Sequence, residues 1–312
     1  MNRSKLIVTI LACSSLWACS PGTSPREAAA AERPPPTLEG TWHATRIDIE
    51  TGPDVGTHTV DIQPAIYVFS KGHYAITAVT GFEARSYISE RPTDEENAAA
   101  FAPFAGSMGS YTASPERITV TPQVAKDPAA MSSPSPVDYE LLWVDDKVWL
   151  ISSTPDQGKV RTELTRLTGE NLTVSLDAAK MKGVWRRAEM IVGSGEHAGE
   201  HREDMQPGFY IFAPPYFAGN FVSTFAPRPP LGESPTAADI SRTFTGFSSF
   251  AGTYTLDDST LVFRPLVSMN PNNMRGRPFQ SIRTEWAGDD IWLIYTGAEG
   301  VQNRVRLTRV SD

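Results

Sequence analysis

The sequence predicts an all-β protein built from two tandem antiparallel β-barrels, each with one short helix. Three observations carry this prediction. The chain repeats itself at one constant offset: shifted by 143 positions, residues 40–167 align with 183–310 without a gap. The residues that match are the types that fix cores and turns, among them Trp42 with Trp185, Tyr67 with Tyr210, Phe69 with Phe212 and Trp149 with Trp292. Glycine and proline, 23 and 25 of them, are scattered through both copies and cut each into apolar stretches of strand length. Strands of that length with one apolar face lose their edges by closing on themselves, or share a core by stacking as two sheets. Closure is the predicted architecture, with a sandwich as the alternative.

The leading segment has a different texture. Arg3 and Lys5 precede an apolar stretch from Leu6 to Ala18, too short to span a bilayer but the right length for the core of a secretory signal. It ends in Leu16-Trp17-Ala18-Cys19, which resembles the bacterial lipobox; that resemblance implies cleavage before Cys19 and acylation of its thiol. Cys13 is the other of two cysteines, so a mature chain acylated at Cys19 has no disulfide and relies on its core. Ser20 to Thr37 is rich in Ser, Pro and Ala and reads as a tether. The expected organisation is therefore a signal peptide over 1–18, a lipidated Cys19 with its tether over 19–37, and barrels over 38–170 and 171–312. Ser20 is not aspartate, which by similarity to envelope lipoprotein sorting implies the outer membrane, facing the periplasm.

In the first copy the expected strands run Trp42 to Ile49, Ala65 to Ser70, Tyr74 to Thr80, Ser107 to Thr112, Arg117 to Thr121, Tyr139 to Val144, Val148 to Ser152 and Val160 to Leu167. Asp145-Asp146-Lys147 is a polar turn between two of them. Thr93-Asp94-Glu95-Glu96, followed by Ala98 to Phe101, reads as a helix N-terminus with acids in its first turn.

The ordered set Leu38-Glu39-Gly40-Thr41-Trp42, Ile66-Tyr67-Val68-Phe69-Ser70, Gly109-Ser110-Tyr111-Thr112, Trp149-Leu150 and Leu164-Thr165-Arg166-Leu167 resembles the bacterial lipocalin-like domain family. Gly183-Val184-Trp185, Phe250 to Thr255 and Asn270-Pro271-Asn272 carry the same marks in the second copy. The resemblance implies a barrel with an apolar interior and assigns no activity.

Several side chains are candidates for chemistry. Arg85 and Arg228 occupy equivalent positions after the early aromatic strands; at a barrel mouth they would hold a ligand carboxylate or phosphate, and on a rim they would pair with Glu90 or Glu233. Trp42, Trp185, Tyr67, Tyr210, Trp149 and Trp292 are the aromatic candidates for lining a ligand cavity or filling a core. Arg161, Arg166, Arg304 and Arg309 on the closing strands are expected to face outward. His197-Ala198-Gly199-Glu200-His201 spells an inverted zinc-protease motif, but that chemistry needs both histidines on one helix face, and Gly193, Gly195 and Gly199 interrupt the segment. No catalytic, metal or cofactor site is expected from it.

A net charge of −8 with no run of Lys or Arg argues against nucleic acid as a partner. The functional expectation is a non-enzymatic envelope lipoprotein, attached to the membrane through its N-terminal lipid and binding a small apolar or amphipathic molecule in its barrels. The alternative is an envelope interaction or assembly module.

Overall fold

The first barrel closes on itself through its first and last strands. It comprises β1 (Gly40–Ile49), β2 (Gly56–His58), β3 (Ala65–Ser70), β4 (His73–Val79), β5 (Phe104–Ser114), β6 (Arg117–Ala125), β7 (Val137–Val144), β8 (Lys147–Thr154) and β9 (Gly158–Arg166). Each of β3 to β9 pairs antiparallel with its neighbour, and β1 pairs with both β3 and β9, so eight strands form a closed ring. The short β2 lies outside that ring, paired with the far end of β1. The computed structural model describes residues 37–154, 158–193, 195, 197–275, 280–296 and 301–310. The expected signal peptide, Cys19 and all of the tether but Thr37 lie outside the described residues.

The second barrel repeats the plan with β10 (Gly183–Ile191), β11 (His201–Arg202), β12 (Gly208–Ala213), β13 (Tyr216–Val222), β14 (Phe247–Asp257), β15 (Thr260–Ser268), β16 (Gln280–Ala287), β17 (Asp290–Thr296) and β18 (Gln302–Arg309), closed by β10 on β18. Even the irregularities repeat. The bulge between Ala44 and Arg46 recurs between Arg187 and Glu189, and that between Met108 and Gly109 recurs between Ala251 and Gly252. At this second bulge the strands approach so closely that a Cβ on Gly109 would lie 2.0 Å from the Thr121 carbonyl oxygen, and one on Gly252 would lie 2.2 Å from that of Arg264. Only glycine fits there.

The expected helix appears in each copy, as α1 (Asp94–Phe101) and α4 (Ala237–Thr245). Thr93 caps α1: its hydroxyl accepts from the Glu96 amide at 3.2 Å, and the Glu96 carboxylate accepts from the Thr93 amide at 2.8 Å. Thr236 and Asp239 build the same reciprocal cap on α4. One helix per barrel is an underestimate, since α2 (Ala129–Ser132), α3 (Leu176–Lys180) and a 3-10 turn (Pro271–Met274) are also present. These are single turns, too short for a periodic signal. Among the described residues no helix is long and apolar enough to cross a membrane.

The outer faces of the two barrels bury each other. Val68, Ala75, Val79, Phe101, Phe104 and Val124 of the first barrel share one apolar cluster with Ile211, Ala218, Val222, Phe244, Phe247 and Val267 of the second. Each of the first six sits 143 positions before one of the second six, so equivalent surfaces meet, as a two-fold axis would arrange them. Thr77 and Ser249 hydroxyls meet across this seam at 3.3 Å, and Asn97 on α1 donates to the Ser241 hydroxyl on α4 at 3.0 Å.

Candidate functional site

The barrels have unlike ends. At one end a tryptophan closes each interior. Trp42 is 1 % exposed and donates its indole N–H to the Leu38 carbonyl at 2.7 Å; Trp185 is 0 % exposed and donates to the Met181 carbonyl at 2.7 Å. Leu38 and Met181 are themselves buried in the two cores, plugging this end. Arg166 lies 4.1 Å above the Trp42 ring and Arg309 lies 4.2 Å above Trp185. Both also donate to backbone carbonyls of the segment leading into their barrel, Arg166 to Thr37 and Glu39, Arg309 to Lys180 and Lys182. The outward orientation expected of these two arginines is therefore incorrect. Each ends its strand on the inward side at the barrel floor, where the guanidinium lies over the indole, Arg309 with its side chain still open to solvent.

At the other end the copies diverge. The mouth of barrel 2 holds a cavity of about 400 Å³, within the range of small-molecule sites. Its barrel wall is aromatic, with Tyr210, Phe221, Phe250 and Tyr295. The first barrel supplies part of the roof through Ile88 and Phe101. Ile88 is held there by Asn272, whose side chain accepts from the Ile88 amide at 3.1 Å and donates to its carbonyl at 2.8 Å. The loop after β4 thus reaches across the seam to cover the neighbouring barrel.

Polar groups sit on this wall and directly behind it. The Tyr210 and Tyr295 hydroxyls approach to 3.4 Å. Burial pushes Tyr210 well above the ordinary phenol range, and burial raises Tyr295 as well, so both stay protonated and able to donate. Beside them Arg187, 8 % exposed, turns into the barrel, with its guanidinium carbon 4.5 Å from the Phe221 ring. In barrel 1 the positions of Arg187, Phe221, Phe250 and Tyr295 carry Ala44, Ala78, Ser107 and Ser152. With less bulk there, the inward-facing Tyr67, Ile76 and Tyr139 stay partly accessible. A larger cleft, about 840 Å³, lies outside barrel 1 beside His58 and Phe82, but much of its wall, including Glu83, Ala84, Ser86 and Tyr87, is exposed.

The sequence-derived candidates are distributed among different places. Tyr67 and Tyr210 face the interiors, and Trp42 and Trp185 form the closed ends. Trp149 and Trp292 lie on the outer faces of β8 and β17, because Val148 and Leu150, like Ile291 and Leu293, take the inward positions on either side. Arg46 covers Trp149 at 5.4 Å and Arg304 covers Trp292 at 5.1 Å. Arg85 and Arg228 cross the seam. Arg85 donates to the Ser268 and Met269 carbonyls at 2.6 and 2.8 Å, and Arg228 to those of Ala125 and Lys126 at 2.6 and 2.8 Å. Their partners are backbone carbonyls rather than Glu90 or Glu233, and burial lowers both guanidinium pKa values to about 10.

The histidine motif lies in a turn, as its glycines imply. His197 pairs with Glu200 at 2.8 Å, and His201 leaves that turn to pair with Glu189 at 2.6 Å. Arg187, Phe221, Phe250 and Tyr295 were not singled out from the sequence. Their signal in the sequence is difference: these positions break the repeat, whereas the matched positions carry the fold.

No family model matches the chain, and no curated protein matches it. Among solved structures it is similar to a lipocalin-like protein from Bacteroides uniformis, with 11 % identity, a TM-score of 0.24, and coverage of 42 % of this chain and 98 % of that one. A redesigned β-barrel aligns at 17 % identity and a TM-score of 0.23, covering 42 % of this chain and 91 % of that one. A protein of unknown function from the DUF3598 family of Nostoc punctiforme aligns at 10 % identity and a TM-score of 0.16, covering 88 % of this chain and 96 % of that one. What decides the fold is the strand order, two consecutive antiparallel rings of eight closed first to last. Each half is a closed eight-stranded up-and-down barrel, the strand plan that lipocalins also use.

Proposed function

We propose that this protein binds a small amphipathic molecule at the mouth of barrel 2. The observation that carries the reading is the cavity itself, walled by Tyr210, Phe221, Phe250 and Tyr295 and roofed by the neighbouring barrel. Aromatic walls supply apolar contact area, and the tyrosine hydroxyls give one end of a ligand its orientation. The interaction-module alternative is less favoured, because the apolar outer faces it would present are spent on each other in the seam.

The neutral dye N-phenyl-1-naphthylamine is a suitable probe, since its fluorescence rises in apolar surroundings. The expected result is saturable binding to the wild type. Ser248→Trp places an indole at a cavity-lining position of β14 and is expected to weaken binding at least about tenfold, a change of about 1.4 kcal/mol. Undiminished dye binding in a folded Ser248→Trp protein would remove the cavity from the proposal.

The same reading places the protein in the cell envelope, anchored by acylated Cys19 in the outer membrane and facing the periplasm. Its support is the sequence of Arg3, Lys5, the apolar stretch from Leu6 and Leu16-Trp17-Ala18-Cys19. A single acyl chain gives only reversible attachment, whereas several hold a protein stably. Metabolic labelling with a radioactive fatty acid is expected to mark the wild type and not Cys19→Ala, with the variant recovered in the soluble fraction. Equal membrane retention of the two would rule out the anchor.

A further inference from the structure

Arg187 is a cation buried inside a barrel without an anion to meet it. Its side chain is 8 % exposed, it donates to the Val222 carbonyl at 3.0 Å, and its guanidinium lies over the Phe221 ring. Among the described residues no carboxylate pairs with it; the charged or ionisable groups that bear on it are Tyr210 and Tyr295, both neutral by burial. Elsewhere the same chain supplies counter-ions readily: Arg306 meets Glu189 at 2.7 Å and Arg304 meets Glu285 at 2.7 Å. A buried charge left unpaired opposes folding, so it is retained where something else compensates it.

The barrel does not need this cation. Ala44 holds the equivalent position in barrel 1, which closes with the same register and the same bulge. Barrel 2 makes room for the arginine: a Cβ on Gly208 would come within 2.6 Å of its Cδ. Arg187 lies behind the cavity wall rather than in its lining, and three of the four aromatic wall residues, Phe221, Tyr210 and Tyr295, stand next to it. No lining residue of the cavity is acidic, and its neutral polar members include Asn270, Asn273 and Gln280.

We infer that the ligand of barrel 2 carries an anionic head, a carboxylate or a group of similar size and charge, which Arg187 receives together with the Tyr210 and Tyr295 hydroxyls while the apolar part occupies the aromatic mouth. The inference rests on the cavity proposed above as the binding site. A guanidinium suits this role because its planar fork offers two parallel N–H donors to one anion. The tyrosine hydroxyls, held protonated, add donors that a neutral alcohol would use far less strongly.

The test compares two dyes that differ by one sulfonate, 8-anilinonaphthalene-1-sulfonate and N-phenyl-1-naphthylamine, on the wild type, Arg187→Met and Arg187→Lys. The wild type is expected to bind the sulfonate at least about tenfold more tightly than the neutral dye. Arg187→Met is expected to abolish that preference, read as the ratio of the two affinities within each variant, with Arg187→Lys in between. Rising salt is expected to weaken the sulfonate alone, a readout in the wild type that does not depend on either variant folding. Equal affinity for the two dyes in the wild type, or a preference that survives Arg187→Met, overturns the anionic head and leaves the cavity standing. Failure of both dyes to bind overturns the cavity, and the inference with it.

Discussion

Arg228→Met is expected to lower the free energy of unfolding by about 2–4 kcal/mol, the larger of the two seam effects, with Arg85→Met close behind. Arg228 is 8 % exposed and donates across the seam to Ala125 and Lys126 and, within its own barrel, to the Thr243 carbonyl at 3.2 Å. Its guanidinium also lies 4.9 Å from the Phe247 ring. Hydrogen bonds from a charged donor contribute about 1.5–3 kcal/mol each, and deleting the donor strands its acceptors in a dry interface. The sum overstates the loss, because burial depresses the guanidinium pKa to about 10 and methionine relieves that desolvation. At neutral pH the arginine is charged both folded and unfolded, so the effect has no pH dependence there. Burial holds its folded pKa below the ordinary guanidinium value, at about 10, so the remaining pH term adds stability only as pH rises above about 10. Urea unfolding measures the loss, and a change below about 1 kcal/mol would mean the clamp is decorative. Since the two clamps hold one seam, the double variant is expected to lose less than the two single losses combined.

That seam shows where sequence reasoning stopped. The repeat, the strand positions and the capped helix are all local or periodic, and a single chain displays them. Which barrel surface is buried is not local, but a clue was present. Ala65-Ile66-Tyr67-Val68-Phe69 is apolar at every position, where a strand with one wet face alternates. In the structure Tyr67 and Phe69 face the interior while Ile66 and Val68 enter the seam. Tyr74-Ala75-Ile76-Thr77-Ala78-Val79 is apolar but for Thr77, whose hydroxyl meets that of Ser249 in the seam. Near-continuous apolarity over β3 and β4 thus marked a strand pair buried on both sides.

The candidate site was harder to read for a related reason. Aligning the copies highlights what both need, which is the fold: Trp42 and Trp185 close ends, and Arg85 and Arg228 cross the seam. A ligand site confined to one barrel appears instead as unmatched residues, such as Arg187 against Ala44 and Phe250 against Ser107. Strand alternation also fixes the two misleading tryptophans. Trp149 and Trp292 match across the copies yet sit between the inward Val148 and Leu150, or Ile291 and Leu293, so the pleat turns them out.

Trp185→Ala is expected to produce the largest loss of stability, about 3–5 kcal/mol in the same measurement, the usual range for truncating a fully buried tryptophan. The indole is 0 % exposed, packs edge-on against Trp286 at 6.2 Å and donates to the Met181 carbonyl. The plug beneath it cannot fall into the gap. Ala178 in α3 is tied by its carbonyl to the Tyr254 hydroxyl at 2.7 Å, and Ser175 donates to the Leu256 carbonyl at 2.5 Å. Trp185→Phe keeps much of the volume but orphans the carbonyl, and should lose about 1–2 kcal/mol. Arg309→Met removes a solvent-exposed cation from the ring face together with its hydrogen bonds to the Lys180 and Lys182 carbonyls, which water can replace, and should lose about 1 kcal/mol. This ranking separates packing from charge as the cause of closure. If Arg309→Met were as damaging as Trp185→Ala, the floor of the barrel would be held by the arginine and its carbonyl partners. The common core of the seam adds a second expectation: barrel 1 should unfold in the same transition as the weakened barrel 2. Two separated transitions in Trp185→Ala would show that each barrel stands alone and that the seam couples them only weakly.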